Sequence, residues 1–258
     1  MQLAVTETPP AAGAGEPGSE PRTAVLVHGI MSGARAWERV ARFLAARGYR
    51  VLAVDLTGHG ASPRAPRYTP RGWVDDVVET VTPLLDGRPD LVLGHSLGAL
   101  IASRVAAHLR PRMAVYVDPA FAFPRGPLGV IYKLAYGLSP RPTRGMLQRL
   151  NPKWAAEDVE IELATLRDWD RRTLLAFLDT RPLVPPSHLV APSLVLLAER
   201  SLLVTRRVAT RLEELGMTVE VVPGAGHTVF RDEPDRFEEL LAAWLDAHSP
   251  VRDAVAAS

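Results

Sequence analysis

Cysteine is absent from the 258-residue sequence. Its absence excludes disulfide bonds, a thiolate nucleophile, and zinc or iron–sulfur sites built on cysteine ligands. Lysine is nearly absent as well, occurring only at positions 133 and 153, so arginine supplies almost all of the 30 basic side chains. We interpret this arginine excess as compositional bias, because arginine enrichment does not by itself indicate phosphate recognition.

Long apolar runs and a surplus of one charge sign are also missing. No apolar run reaches the roughly 18 residues that a membrane span requires, and the first residues lack the basic-then-apolar pattern of a signal peptide. The 30 basic and 29 acidic side chains leave a net charge of +1 without a basic stripe, which argues against nucleic-acid binding. We expect a cytoplasmic monomer or homodimer that acts on a small-molecule substrate, with no nucleic-acid or membrane partner.

Short apolar runs, each ending in turn residues, alternate with segments of helical periodicity. Such runs are typical of strands buried on both faces, and their alternation with helices predicts a doubly wound, mostly parallel α/β sheet. The predicted strands are Ala24–Val27, Val51–Val54, Leu91–Leu93, Met113–Val117, Leu194–Leu197 and Val219–Val222.

The chain divides by composition into five parts. Residues 119–192 contain no good strand, many prolines and two helical stretches, so they are expected to form a helical lid inserted between core strands. The terminal segments are rich in small and polar residues with little to bury. The predicted parts are a disordered leader (1–22), the first part of the core (23–118), the lid (119–192), the second part of the core (193–248) and a flexible tail (249–258).

The segment Gly94-His95-Ser96-Leu97-Gly98 matches the pattern G-x-S-x-G. It follows a predicted strand and opens an apolar helix, which is the context in which this pattern forms a sharp turn that exposes a nucleophilic serine. We therefore predict Ser96 as the nucleophile. The N-terminus of the helix that follows also directs its dipole and free N–H groups toward the site.

A serine hydroxyl needs a base to become nucleophilic, and imidazole suits that role near neutral pH. His227 follows the last predicted strand, in Gly224-Ala225-Gly226-His227. Its place after the serine in the chain fits the order serine, acid, histidine. We predict His227 as the general base.

An acyl-transfer site also needs N–H donors for the oxyanion. The candidates are the backbone N–H of Leu97, directly after the serine, and that of Ile30, in the turn after the first core strand. Side chains near these turns and in the lid are candidates to contact substrate, although the histidines among them could equally be structural. These candidates are His28, Met31, His95, Phe121 and Trp154.

Together these motifs resemble those of the α/β-hydrolase family of lid-bearing esterases and related lyases. The order and spacing of the motifs are more specific than any one of them alone. The resemblance implies the fold, the serine nucleophile, the histidine base and the lid, with no metal or organic cofactor. The motifs are His28-Gly29 with Trp37, the segment 55–62 (DLTGHGAS), Gly94–Gly98 and Gly224–His227.

The sequence departs from the family at the triad acid, which usually follows the strand predicted at Leu194–Leu197. Ser201 stands at the expected aspartate position, and a hydroxyl cannot stabilise an imidazolium as a carboxylate does. One alternative is Asp118, at the end of the preceding strand, and a second is Glu199, displaced by two positions. A third is that no carboxylate acts as the triad acid.

We expect a serine hydrolase that cleaves a carboxylic ester or thioester of a medium-sized apolar substrate through an acyl-enzyme. The departure at Ser201 leaves open a lyase or cyclase that tailors a secondary metabolite on the same scaffold without net hydrolysis. A non-catalytic ligand-binding protein is the remote alternative, against which the presence of Ser96 and His227 argues.

Overall fold

The computed structural model describes residues 1–14, 21–121, 141–178 and 186–249. Parts of three predicted segments lie outside these described residues. They are 15–20 of the leader, 122–140 and 179–185 of the lid, and 250–258 of the tail.

A single seven-stranded sheet organises the described part of the chain, in the order β1-β3-β2-β4-β5-β6-β7. All neighbouring strands are parallel except β1, which runs antiparallel to β3. The prediction of a doubly wound, mostly parallel α/β sheet is confirmed. The strands are β1 (Val5–Thr8), β2 (Arg22–Val27), β3 (Tyr49–Val54), β4 (Leu91–His95), β5 (Met113–Val117), β6 (Ser193–Ala198) and β7 (Thr218–Val222).

Helices cover both faces of the sheet. Along β2, for example, Val25 and Val27 join one apolar cluster, while Ala24 and Leu26 join the cluster on the opposite face. The α-helices are α1 (Glu38–Ala46), α2 (Pro70–Val81), α3 (Leu97–Leu109), α4 (Arg144–Leu150), α5 (Ala156–Asp168), α6 (Arg206–Glu214), α7 (Val229–Asp232) and α8 (Pro234–His248). Residues of α2, α3 and α6 pack on the first face, and residues of α1 and α8 on the second.

The prediction that residues 1–22 form a disordered leader is wrong for Val5–Thr8. This strand pairs with β3 from Val5 opposite Val54 to Thr8 opposite Val51. The N–H of Leu3, a buried residue, donates a hydrogen bond to Thr80 Oγ1. A segment of four residues gives only a weak strand pattern in the sequence, and hydrogen bonds to the exposed edge of β3 stabilise it.

Of the predicted lid, the described residues 141–178 are largely helical, whereas residues 119–121 and 186–192 form no helix. Residues 141–178, called the lid segment below, contain α4, α5 and the 3₁₀ helix Arg171–Leu178. They share a small apolar cluster that is separate from the two clusters on the sheet. The cluster consists of Leu147, Trp154, Val159, Leu166 and Trp169.

Candidate active site

Ser96 occupies the sharp turn between β4 and α3, with φ 54° and ψ −118°. Left-handed φ values are strained for a residue other than glycine, and such strain is typical of nucleophile turns. The two flanking glycines permit the turn. A Cβ on Gly94 would lie 2.4 Å from the carbonyl oxygen of Gly98, and a Cβ on Gly98 would lie 2.2 Å from that of Val27. Any side chain at either position would therefore displace the backbone.

The structure brings Ser96, His227 and Asp118 into one chain of contacts. His227 Nε2 lies 3.0 Å from Ser96 Oγ, and His227 Nδ1 lies 2.6 Å from Asp118 Oδ2. Asp118 is 1% exposed and Ser96 6% exposed, whereas the His227 side chain is 47% exposed. A proton on Nδ1, donated to the carboxylate, leaves the Nε2 lone pair to accept the serine hydroxyl.

Asp118 directly follows β5 and continues its pairing with β6. Its N–H donates to the carbonyl of Leu196 at 2.8 Å, and its Oδ1 accepts the N–H of Ala198 at 3.3 Å. The residue has φ 36°, a left-handed conformation that aspartate and asparagine tolerate better than most residues. Both carboxylate oxygens are thus engaged, one by the backbone and one by His227.

The other carboxylate candidate, Glu199, is exposed, and its backbone N–H donates to the carbonyl of Ala225 at 3.0 Å. Ser201, at the position where the family resemblance predicts the acid, accepts hydrogen bonds from the N–H groups of Leu203 and Val204 at 3.2 and 3.0 Å. Its hydroxyl therefore stabilises a turn. The structure brings Asp118, and not Glu199, to His227.

The two predicted oxyanion donors are both available. Leu97 is the first residue of α3, so its N–H has no partner within the helix. Among the described residues, neither this N–H nor that of Ile30 donates a hydrogen bond. Both therefore remain free to bind a substrate oxygen.

His28 orients the peptide that carries the Ile30 N–H. Its Nδ1 donates to the carbonyl of Gly29 at 2.7 Å, and its Nε2 accepts the N–H of Leu56 at 2.9 Å. Burial lowers the pKa of His28, so the ring is neutral, as this pattern requires. Since the C=O and N–H of a trans peptide point in opposite directions, anchoring the Gly29 carbonyl directs the Ile30 N–H away from His28.

His59, which the sequence indicates only as part of a turn, supports the next residue. Its Nε2 accepts the N–H of Met31 at 3.3 Å, and Met31 itself adopts φ 66°. Burial lowers the pKa of His59 well below its usual value, with a further contribution from neighbouring His28. Two neutral histidines thus hold the loop of the predicted oxyanion donor.

His95 holds the other side of the site. Its Nε2 donates to the backbone carbonyl of His227 at 2.9 Å, and the two rings lie 4.7 Å apart. Burial, followed by the proximity of His227, lowers the pKa of His95 well below its usual value, so the ring is neutral. This contact fixes the main chain of the predicted base.

The structure gives four of the five side chains predicted to contact substrate other partners. His28 and His95 are buried at the site and bonded to backbone groups, as described above. Phe121 packs in the core, with its ring 5.7 Å from that of Tyr116, and Trp154 belongs to the apolar cluster of the lid segment. Met31 is partly exposed and packs on that cluster, and its contact with substrate stays a prediction.

Within the described residues, no group of three or more histidine, aspartate or glutamate side chains could hold a metal ion. In the same part of the chain, every helix is too short or too polar to cross a bilayer.

Residues 24–240 match the model of the alpha/beta hydrolase family. Because the match covers most of the chain, the protein belongs to that family, which confirms the resemblance found in the sequence.

Known proteins that are similar include both curated relatives and solved structures. The chain is 27% identical over 247 residues to pimeloyl-[acyl-carrier protein] methyl ester esterase of Pectobacterium carotovorum, covering 86% of this chain and 94% of that protein. It is 36% identical over 109 residues to lipase LipV of Mycobacterium tuberculosis, covering 40% of each. Two of the curated relatives, LipV among them, match this chain over less than half of their own length.

An esterase from Exiguobacterium antarcticum has a similar solved structure. It superposes with a TM-score of 0.75 at 19% identity, covering 95% of each chain. At this identity the likeness supports the fold alone.

Proposed function

We propose that this protein is a serine hydrolase that cleaves a carboxylic ester or thioester through an acyl-enzyme. The observation that carries the proposal is the continuous contact from Ser96 through His227 to Asp118. The match to a methyl ester esterase over most of both chains supports an ester as the substrate class. A medium-sized apolar acyl group and a cytoplasmic location remain predictions from the sequence.

The proposed reaction has two halves, acylation of Ser96 and deacylation by water, and the same catalytic groups act in both. Ser96 Oγ attacks the carbonyl carbon while its proton passes to His227 Nε2, and Asp118 stabilises the resulting imidazolium. The N–H groups of Ile30 and Leu97 hold the oxyanion. His227 then returns the proton to the leaving alcohol or thiol, and the acyl group stays on Ser96.

Water completes the cycle. His227 accepts a proton from a water molecule, whose oxygen attacks the acyl carbon, and then returns this proton to Ser96 Oγ as the carboxylic acid leaves. The rival lyase or cyclase interpretation rested on the absence of an acid at Ser201. The contact between Asp118 and His227 supports an acid from another strand, which removes the main reason for the rival interpretation.

The test is hydrolysis of p-nitrophenyl esters from acetate to octanoate. Ser96→Ala should lower kcat by about 10³-fold or more, as loss of a triad serine does. Ser103→Ala is a matched control, because Ser103 is also buried, in the middle of α3, and its hydroxyl donates to the carbonyl of Leu100 within the same helix. Its kcat should stay within about threefold of wild type.

Mass spectrometry of the protein treated with a fluorophosphonate should locate the adduct on Ser96. A folded wild type that is inert on the whole ester series and unlabelled at Ser96 would contradict the proposal.

A further inference from the structure

The segment that carries His227 lies against the lid segment. We call residues 224–228 the base loop. Lys153 Nζ donates to the carbonyl of Gly224 at 2.9 Å and pairs with Glu233, just beyond α7. Trp154, the next residue of the lid segment, donates its indole N–H to Asp232 Oδ1 at 3.0 Å. Two consecutive lid residues thus bond to the two ends of the stretch that contains the base.

Asp232 connects the lid to the base loop directly. Its Oδ2 lies 3.0 Å from the position that a Cβ on Gly226 would occupy. Burial raises the pKa of Asp232, while the Trp154 side chain and the polar backbone groups of Gly226 and Thr228 favour its charged form. The backbone N–H of Asp232 also donates to the carbonyl of Thr228 at 3.0 Å. Gly226 and Thr228 are the two neighbours of His227, so Asp232 contacts the main chain on both sides of the base.

Arg231 lies over the ring of Trp154 and restricts its orientation. Its guanidinium carbon lies 4.8 Å from the centre of the Trp154 ring. Arg231 is buried, and it forms ion pairs with Asp158 at 3.1 Å and Glu162 at 2.8 Å, both on α5. A buried arginine must keep such partners, because an unpaired buried charge is costly. The lid segment therefore cannot shift at this end without disturbing α7.

His227 is thus held from two directions. From the core, His95 binds its carbonyl, and from the lid segment, Trp154 binds Asp232, which contacts both of its neighbours. Its side chain must reach Ser96 and Asp118 at the same time, which requires a fixed position of the main chain. A small displacement of a catalytic group lowers the rate strongly.

We propose that Trp154 and Asp232 are positioning residues through which the lid segment sets the position of the general base. This inference rests on the proposed function only for its effect on turnover. The lid segment then forms part of the support for His227. Trp154 does not touch the reacting atoms in this arrangement, and its indole N–H acts through Asp232.

Two tryptophans of the lid segment provide a matched comparison. Trp154 is 7% exposed and Trp169 4% exposed. Trp169 donates its indole N–H to Thr173 Oγ1 at 2.7 Å, a contact inside the lid segment. Trp154→Phe and Trp169→Phe each remove one buried indole hydrogen bond and keep an aromatic ring, so their structural cost should be similar. Only the first change releases Asp232.

We expect Trp154→Phe to lower kcat on p-nitrophenyl esters by about tenfold, with KM changed by less than about threefold. Trp169→Phe should keep kcat within about twofold of wild type. The rate at which a small organophosphate inactivates Ser96 should fall in parallel with kcat, since it depends on the same activation of the hydroxyl. Equal kcat values for the two variants would overturn the inference, even while Ser96→Ala remains inactive.

Hydrogen exchange measured by mass spectrometry tests the same contact without turnover. In Trp154→Phe, peptides that span residues 224–232 should exchange at least fivefold faster than in wild type. In Trp169→Phe they should exchange at the wild-type rate. Equal exchange in the two variants would overturn the inference even if the enzyme cleaves none of the esters, so its failure is distinct from failure of the proposed function.

Discussion

Replacing Asp118 with asparagine should abolish most of the activity while keeping the fold. The two oxygens of Asp118 have different partners: Oδ1 accepts the N–H of Ala198, and Oδ2 accepts from His227. An asparagine has only one oxygen. If that oxygen stays toward Ala198, the amide NH₂ faces His227 Nδ1, which must then carry a lone pair.

The proton of the imidazole would then sit on Nε2, directed at Ser96, and the ring could not accept the serine proton. The opposite orientation would place the NH₂ against the N–H of Ala198, a buried donor facing a donor. The favoured orientation is thus the one with the wrong tautomer. We expect a loss of about 10³ to 10⁴ in kcat, equivalent to about 4 to 5.5 kcal/mol, as for this change in other Ser-His-Asp triads.

The assay is p-nitrophenyl ester hydrolysis at saturating substrate, with Glu199→Gln as the matched control because Glu199 is exposed. That control should stay within about twofold of wild type. Asparagine tolerates the left-handed φ of 36° at position 118, so the two variants should melt within a few degrees of each other. An Asp118→Asn enzyme that keeps more than a tenth of wild-type kcat, or an equal loss in Glu199→Gln, would refute the reasoning.

Two further predictions concern stability. Gly98→Ala should destabilise the fold by about 4 kcal/mol or more, because its Cβ would lie 2.2 Å from the carbonyl oxygen of Val27. Gly145→Ala is the control, since a Cβ there would have nothing within 4 Å, and it should be neutral or slightly stabilising. Thermal melts measure both effects. Burial lowers the pKa of His59 and of His95 well below 6.5, so the stability that depends on their neutral forms is complete above about pH 6.5 and falls as the pH drops toward their folded pKa values. The urea midpoint should be lower at pH 5.5 than at pH 7.5, and an equal or higher midpoint at pH 5.5 would contradict this.

The sequence predicts the sheet well because its central strands are continuous apolar runs. Each of the six predicted runs is a strand in the structure, extended by at most two residues at either end. The strand that the sequence does not predict, Val5–Thr8, is half exposed and pairs with the edge of β3, a partner that no local pattern reveals. Likewise, α4 is a seven-residue helix whose single buried residue, Leu147, packs within the lid segment rather than on the sheet.

The candidate site likewise contains residues that the sequence predicts and residues that it does not. Ser96 and His227 are predictable because each lies in a turn motif whose glycines are needed for local steric reasons. The side chains that support them are not, since their roles depend on contacts between distant segments. Asp232 lies 78 positions from Trp154 in the chain, and His95 lies 132 positions from the carbonyl that it holds. Nothing in the local sequence distinguishes such residues from ordinary core or cap residues.

The position of Asp118 follows from the order of the strands. β5 lies between β4, which ends at the turn of Ser96, and β6, which ends at the loop where the family resemblance predicts the acid. A carboxylate at the end of β5 is therefore nearer to the serine, and here the end of β6 contributes backbone groups in place of a side chain. The N–H of Ala198 holds Asp118, and that of Glu199 holds the carbonyl of Ala225, two residues before His227. With Asp118 as the proposed acid, the residue at position 201 needs only to stabilise its turn, and a serine is sufficient.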